Sequence, residues 1–165
     1  MIDYGGLLVA LNRGRVEFII VGGFAGTLHG SAIPTQDLDV VYARTPENLD
    51  KLVAALGPHS PYLRGAPPGL PFQFDAETLR NGLNFTLSTA LGPIDLLGEI
   101  AGGGRYEDLA PHGRTVRVFG VDCLCLGLEK LIEVKRAAGR PKDLVAIADL
   151  TALLEERRKP RPPSA

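Results

Sequence analysis

The sequence has few cysteines, no excess of charge and no long apolar stretch, and each absence narrows the class of protein. Its only cysteines, Cys123 and Cys125, are too close along the chain for an ordinary disulfide. Eighteen basic and nineteen acidic side chains leave a net charge of −1, so no global field attracts nucleic acid or an anionic membrane. No apolar run has the length of a membrane span, and the amino end lacks the features of a secretory signal. We therefore expect a reduced, cytoplasmic protein.

The length and composition fit one folded domain. The chain has 165 residues, of which 45% are hydrophobic and 22% charged, and a chain of this size can bury a full core. We expect a single domain over residues 1–155. The remaining residues, 156–165, are polar and proline-rich, which is typical of a disordered tail.

Hydrophobic patterns predict an alternation of strands and helices. Strands are expected at 16–21, 37–42, 83–89, 94–97 and 115–121. Helices are expected at 4–13, 24–29, 46–56 and 126–138, with a last one that starts at Pro141. The segment 59–71 is rich in proline and glycine and is expected to be a mobile surface loop with the character of a lid.

Asp37 and Asp39 form the first candidate site. Residues two apart on a strand point the same way, and two carboxylates placed so repel each other unless a cation lies between them. Carboxylate oxygens are the ligands that Mg²⁺ or Mn²⁺ prefers. Taken alone, however, the pair also fits the solvated start of a strand.

Asp95 and a glycine pair add to this site. Asp95 is the only charged residue between Arg80 and Glu99, and a buried carboxylate must be protonated, paired or bound to metal. It therefore either completes a carboxylate triad or faces outward from an edge strand. Gly22 and Gly23 follow a buried strand, where bare N–H groups can receive a phosphate. The dinucleotide fingerprint G-x-G-x-x-G is not met, because a valine precedes this pair.

Lys135 is a candidate from the helical pattern. Leu128, Leu131 and Ile132 define an apolar helix face, and Lys135 lies on that face seven residues after Leu128. Its ammonium group either reaches a triphosphate or extends to solvent. The basic pair Arg140 and Lys142, at the junction of two helices, has the same two alternatives.

The segment 22–41, G-G-F-A-G-T-L-H-G-S-A-I-P-T-Q-D-L-D-V-V, resembles the signature of the nucleotidyltransferase superfamily, which has the DNA polymerase beta-like fold. The pair His29-Gly30 and Thr35 are similar to one branch, which contains abortive-infection toxins and the minimal nucleotidyltransferases of toxin–antitoxin loci. The chain departs from this branch at Ile33, where relatives usually carry arginine. This departure puts the substrate phosphate contacts in question.

The resemblance continues through two later segments. L-G-P-I-D-L-L-G at 91–98 places Asp95 at the third carboxylate of the family. L-E-K-L-I-E-V-K-R-A-A-G-R-P-K-D-L at 128–144 is similar to the family's later helices. The likeness spans about residues 16–150. It implies an α/β (α+β) nucleotidyltransferase fold, a short mixed sheet flanked by helices with the C-terminal helices packed on it.

The resemblance also implies an activity. The protein would move a nucleoside monophosphate from an NTP to an acceptor hydroxyl and release pyrophosphate, with Mg²⁺ or Mn²⁺ held by the catalytic residues Asp37, Asp39 and Asp95. The residues expected to bind the nucleotide are Gly22, Gly23, Thr35, Lys135, Arg140 and Lys142. The acceptor would be an RNA end, a protein or a small molecule, and a toxin–antitoxin partner is expected. The alternative is a non-catalytic binding or antitoxin module of the same fold, which Ile33 favours.

Overall fold

Strands and helices alternate along the chain in a computed structural model that describes residues 2–160. The helices are α1 (Tyr4–Arg13), α2 (Gly22–Leu28), α3 (Pro46–Leu56), α4 (Ala76–Asn81), α5 (Tyr106–Leu109), α6 (Leu128–Ala138) and α7 (Pro141–Arg158). The strands are β1 (Phe18–Val21), β2 (Leu38–Tyr42), β3 (Tyr62–Leu63), β4 (Phe85–Thr89), β5 (Gly92–Leu97), β6 (Gly113–Val118) and β7 (Val121–Leu126). Two short 3₁₀ turns lie at Gly57–His59 and Ala110–His112.

The strands form one mixed sheet in the order β3-β4-β5-β2-β1-β7-β6. Strand β2 runs parallel to β5, and β1 runs parallel to β7, whereas the other neighbours are antiparallel. The expected α/β fold with a short mixed sheet is therefore confirmed. None of the helices within residues 2–160 has both the length and the apolar character needed to cross a bilayer.

The core lies on the central strands. Every residue of β1 is buried, as expected for an apolar strand with both faces covered. Helix α1 contributes Leu7, Leu8 and Leu11, which are wholly buried. Helix α3 begins as the sequence indicates, because the Thr45 side chain accepts a hydrogen bond from Asn48 N at 3.2 Å. Helix α6 packs on α2 and α7, and residues of the C-terminal helices line the same cavity as the aspartates of the inner strands.

The segment 59–71 is more ordered in the structure than expected. Strand β3 lies inside it and pairs with β4 at the edge of the sheet. The next residue, Arg64, donates its backbone N–H to Thr86 O at 3.0 Å. A strand of two residues is too short to produce a periodic pattern. The expectation of a loop was therefore wrong at Tyr62 and Leu63, whereas the mobile lid stays a prediction.

Two boundaries differ from the expected ones by more than two residues. The strand expected at 115–121 is a hairpin of β6 and β7, whose turn places Phe119 and Gly120 at φ 51° and 77°, as a tight hairpin turn requires. Strand β7 carries the two buried cysteines. Helix α7 continues to Arg158, so the first residues of the expected tail are helical, and residues 161–165 of that tail lie outside the described residues.

Candidate active site

The structure brings the three predicted acids together at one end of two neighbouring strands. Asp39 on β2 lies directly opposite Asp95 on β5 in the parallel register. Asp37 precedes β2 by one residue and lies on the same side of the chain as Asp39. One carboxylate oxygen from each residue lies within 4.8 Å of the others. Strand pairing thus converts two distant sequence motifs into one acidic cluster.

The cluster is short of positive charge. Burial, followed by the charges of Asp37 and Asp95, raises the pKa of Asp39 to about 8. Burial and the charge of Asp37 also raise the pKa of Asp95, against the opposing effect of Arg64. The Oδ1 atom of Asp39 is buried and has no hydrogen-bond partner among the described residues. An acceptor left in this state is costly unless a cation or donor reaches it.

The acidic cluster fits a divalent metal ion. Three carboxylates converge within the span of a single coordination sphere, and hard cations prefer oxygen donors of this kind. The unpartnered Oδ1 of Asp39 supplies a free ligand atom among the described residues. Asp37, Asp39 and Asp95 can therefore hold a metal.

Arg64 is the residue that sequence reasoning missed. Its Nη2 lies 2.8 Å from Asp95 Oδ1 and its Nη1 lies 3.4 Å from Asp37 Oδ2. Nη2 also donates to Leu87 O at 2.7 Å. Arg64 follows a two-residue strand in a proline- and glycine-rich segment, so no local pattern predicts that it reaches the acids.

The glycine turn between β1 and α2 lies against the acidic cluster. Gly22 has φ +68°, and a Cβ atom there would collide with the Asp39 carboxylate. A Cβ atom on Gly23 would lie 2.9 Å from Thr35 Oγ1. Thr35 in turn donates to Asp37 O at 3.0 Å. The glycines thus allow the chain to approach both Asp39 and the loop that carries Asp37.

We expect Gly22→Ala to destabilise the protein and to weaken its metal binding. The positive φ disfavours alanine by about 1–3 kcal/mol, and the added methyl group must displace Asp39. Denaturant unfolding and titration with Mn²⁺ measure the two effects. Gly57→Ala is the control, because Gly57 has φ −51° and open space around its Cβ position, so its stability should change by less than about 0.5 kcal/mol. Equal effects of the two substitutions would contradict the role given to Gly22.

All nine predicted site residues line one cavity of about 440 Å³. The acids lie at one side of it, and three cationic residues of the α6–α7 region complete the wall. These cations are Lys135, Arg140 and Lys142. Ile33, which replaces the usual arginine, also lines the cavity and is 36% exposed. The cavity thus places negative and positive groups around the same space.

The three cations differ in how they are engaged. Lys135 is half-buried, and burial is the main cause that lowers its pKa, with Asp143 acting in the opposite direction. Arg140 donates from Nε and Nη2 to the two oxygens of Asp143, at 2.8 and 3.2 Å, at the start of α7. Lys142 is exposed. Arg140 thus has a structural partner, whereas Lys135 is the cation most enclosed by the cavity wall.

His29 of the motif lies outside the cavity lining. Its Nε2 lies 2.7 Å from Leu126 O, and its Nδ1 lies 3.1 Å from Nη1 of Arg157. Nη2 of Arg157 also donates to the His29 carbonyl oxygen at 3.0 Å. A tautomer protonated at Nε2 satisfies both ring contacts. The side chain therefore links the end of α2 to β7 and α7 within the fold.

Several solved structures share this arrangement of strands and helices. ANT(2″)-Ia in complex with adenylyl-2″-tobramycin matches with a TM-score of 0.55 and 17% identity, over 92% of this chain and 88% of that one. A protein of Thermotoga maritima provisionally assigned as a nucleotidyltransferase matches with a TM-score of 0.52 and 16% identity, over 92% and 89%. The chain has the nucleotidyltransferase fold.

A further match supports the same fold. It is an antigenic nucleotidyltransferase-like protein from Paracoccidioides brasiliensis, with a TM-score of 0.54 and 16% identity, over 94% of this chain and 78% of that one. No protein-family model and no curated protein sequence matches the chain. The likeness is therefore one of architecture, and the chemistry of the protein has to be argued from the residues of its own site.

Proposed function

We propose that this protein transfers a nucleoside monophosphate from an NTP to an acceptor hydroxyl and releases pyrophosphate. The observation that carries the proposal is the single cavity, which has three carboxylates on one side and three cations on another. Phosphoryl-type transfer needs chiefly positioning and charge stabilisation. A cavity lined by both carboxylates and cations suits a triphosphate, because the cations can hold the phosphates in place while the α-phosphorus is attacked.

Asp37, Asp39 and Asp95 are the proposed metal ligands, and Mg²⁺ or Mn²⁺ is the proposed ion. The support is the all-carboxylate donor set and the buried, unpartnered Oδ1 of Asp39 among the described residues. When bound, such an ion supplies positive charge that activates the acceptor oxygen and offsets the charge of the triphosphate.

The other residues of the cavity are proposed to bind and orient the substrates. Lys135 and Lys142 bind phosphate oxygens, and Arg140 adds positive charge while it stays paired with Asp143. The acceptor oxygen forms a bond to the α-phosphorus, and the bond from that phosphorus to the pyrophosphate oxygen breaks. Asp95, on the acceptor side, takes the acceptor proton or fixes the acceptor oxygen. The glycine turn and Thr35 hold the surrounding backbone close to these groups.

The activity is tested by incubating the protein with each α-labelled NTP, Mg²⁺ or Mn²⁺, and candidate acceptors. A small molecule with several hydroxyls is the first acceptor to test, because the similar ANT(2″)-Ia structure holds adenylyl-2″-tobramycin. RNA ends and proteins follow as the other two classes. Label transferred to one acceptor, with an equal amount of pyrophosphate and with no reaction in excess chelator, is the expected result. No transfer from any NTP to any of the three classes would contradict the proposal.

A second candidate is a non-catalytic module of the same fold, and Ile33 is the observation that favours it. An apolar side chain lines the cavity where the resembling branch carries arginine. NTP binding without turnover, together with turnover in the Ile33→Arg variant, would favour this candidate. The toxin–antitoxin partner stays a prediction from the His29-Gly30 and Thr35 motif, and it is tested by co-expression with the product of the neighbouring gene.

Replacing Lys135 by methionine should weaken NTP binding without lowering the melting temperature of the free protein. Burial lowers the pKa of the half-buried Lys135 ammonium group, because it disfavours the charged form. An apolar side chain of similar length therefore suits that position at least as well. The lost charge-assisted hydrogen bond should cost about 1–3 kcal/mol of binding free energy. Calorimetry with NTP and a thermal melt measure the two quantities.

Arg136→Met is the matched control for this substitution. Arg136 is the next residue of α6, is exposed, and does not line the cavity. NTP affinity should therefore stay within a factor of about two of wild type. A Lys135→Met protein that melts early and binds NTP normally would make Lys135 a structural residue, and Arg140 and Lys142 would then be the phosphate-binding candidates.

A further inference from the structure

Arg64 supplies every ion pair that the three acids make within residues 2–160. Its guanidinium group reaches from the edge of the sheet, past β4, to Asp95 on β5 and to Asp37 before β2. The three carboxylates carry up to three negative charges in a space that fits one metal ion. Arg64 therefore occupies the electrostatic role that a metal would take in the same cluster.

Arg64 satisfies the hydrogen-bonding capacity of the acids only in part. Only the contact of Nη2 with Asp95 has the length of a strong charge-assisted hydrogen bond, at 2.8 Å, because Nη1 lies 3.4 Å from Asp37. Its Nε is buried and without a hydrogen-bond partner among the described residues. The guanidinium group also does not satisfy Asp39, whose Oδ1 stays unpartnered within the same residues. A divalent cation can therefore neutralise the three carboxylates more completely than the guanidinium group does.

The backbone around Arg64 is held on one side only, because β3 is an edge strand of the sheet and β4 accepts the N–H of Arg64. The strand before it, β3, has only two residues paired with β4, and the residues after it include Gly65, Pro67 and Pro68. A short edge strand has few backbone hydrogen bonds to lose when it shifts. The side chain itself has several rotatable bonds, so Nη2 can leave Asp95 and stay close to Leu87 O.

We propose that Arg64 is the resident counter-ion of the acidic site, and that a divalent metal ion competes with its guanidinium group for the oxygens of Asp37 and Asp95. This inference rests on the proposed function in one respect, since it takes the same carboxylates as the metal ligands. Arg64 would offset part of the negative charge of the cluster and hold Asp37 and Asp95 close together in the metal-free protein. It would also lower the affinity for metal, because the incoming ion meets a positive charge and must replace an existing ion pair.

A purely structural role for Arg64 leads to a different expectation. If the side chain only fastens β3 to the sheet, its removal should destabilise the protein and leave metal affinity unchanged or reduced. A counter-ion that competes with metal gives the opposite sign for affinity, because its removal increases the negative charge of the site. Metal affinity therefore separates the two roles, whereas stability alone does not.

The test is a titration of the metal-free protein with Mn²⁺ alone, followed by calorimetry and by thermal melts. Arg64→Met removes the charge and keeps much of the length, and we expect it to tighten Mn²⁺ binding by about tenfold or more, given the strength of charge repulsion at ion-pair distances. The metal-free variant should melt earlier than wild type, and saturating Mn²⁺ should raise its melting temperature by more than it raises that of wild type. Arg64→Lys keeps the charge and should bind Mn²⁺ within about threefold of wild type.

Arg44→Met is the matched control. Arg44 is also a half-buried arginine, and it donates to Tyr42 Oη, Leu79 O and Arg80 O without contacting the acids. Its substitution should lower stability and leave Mn²⁺ affinity unchanged. If Arg64→Met is recovered only as aggregate, Arg64→Gln takes its place, because glutamine keeps a donor for Leu87 O.

Unchanged or weaker Mn²⁺ binding in the Arg64→Met or Arg64→Gln protein would overturn the inference. Equal tightening in the Arg44→Met protein, or no Mn²⁺ binding by any variant, would overturn it as well. The titration contains no nucleotide, so its result is independent of turnover. A protein that binds Mn²⁺ as expected and transfers no nucleotide would refute the proposed function and support the role of Arg64. A protein that transfers nucleotide while Arg64→Met leaves Mn²⁺ affinity unchanged would refute only the role of Arg64.

Discussion

Replacing Asp37 and Asp39 together by asparagine should abolish both the stabilisation by metal and the metal-dependent binding of NTP, and should lower turnover by about 10³-fold or more. Two of the three carboxylates that converge within 4.8 Å would lose their charge in this variant. Asparagine keeps the shape of aspartate, so the fold should be retained. The loss of repulsion around Asp39, whose pKa is raised by burial and by its neighbours, should even favour the metal-free protein.

Melting curves with and without Mn²⁺, calorimetry with NTP and an assay of pyrophosphate release measure the three effects. Asp50→Asn is the control, since Asp50 is an exposed acid on α3 and its charge is not part of the cluster. This control should behave as wild type in all three measurements. Metal-dependent NTP binding that survives in the double variant would exclude these acids as the metal ligands.

The convergence of the acids could be predicted because each lies in, or directly before, a strand with a strong local pattern. Asp39 lies in the β2 sequence L-D-V-V-Y and Asp95 in the apolar run of β5, and both strands form close to where they were expected. A charged residue in a buried strand must be protonated, paired or bound to metal. This requirement favours a shared site for Asp39 and Asp95. The family resemblance implied that Asp95 is the third carboxylate, whereas the parallel register that sets Asp39 opposite Asp95 is given only by the structure.

Arg64 could not be predicted, because its partners are distant along the chain. It contacts Asp95, 31 residues later, and Asp37, 27 residues earlier, across strands whose order no local pattern specifies. The strand before it has two residues and leaves no periodic signal. Local patterns point to a cation near the site only on α6 and at the start of α7, where the helical periodicity of α6 indicates an inward-pointing lysine.

The pairing of Arg140 with Asp143 at the start of α7 could be predicted from the sequence. Asp143 follows Arg140 by three residues, with Pro141 at the first helical position, which is the spacing of a helix N-terminal capping pair. The structure gives Arg140 N and Nε contacts with Asp143 Oδ2 at 3.3 and 2.8 Å. The buried Asp143 carboxylate thus fixes the start of α7 and, with it, the cationic wall of the cavity.

The hairpin of β6 and β7 shows a different limit of sequence patterns. The turn between the two strands contains Phe119 at φ 51°, a conformation that side chains other than glycine and asparagine rarely adopt. The stretch up to Val121 therefore resembles one continuous strand. The strand after the turn, which pairs with β1 and leads into α6, was hidden for the same reason. Its position decides where Lys135 meets the cavity.

Asp95→Asn should remove turnover and leave NTP affinity largely intact, because the proposed role of Asp95 is on the acceptor side of the reaction. A residue that fixes the acceptor oxygen or takes its proton contributes about 10²–10⁴-fold to the rate, so kcat should fall by that factor while KM for NTP changes little. The asparagine amide oxygen can still accept from Arg64 Nη2, which lies 2.8 Å from Asp95 Oδ1. The geometry of the strand pair should therefore survive the substitution.

Steady-state kinetics and calorimetry with NTP on the same samples separate the rate effect from the binding effect. Glu99→Gln is the control, because Glu99 is an exposed acid just after β5 and lies outside the cavity lining. Turnover should stay at the wild-type level in this variant. Equal turnover in the Asp95→Asn protein would make Asp95 only the ion-pair partner that Arg64 needs at the edge of the site, and the acceptor proton would then have to leave through Asp37, whose side chain is 31% exposed.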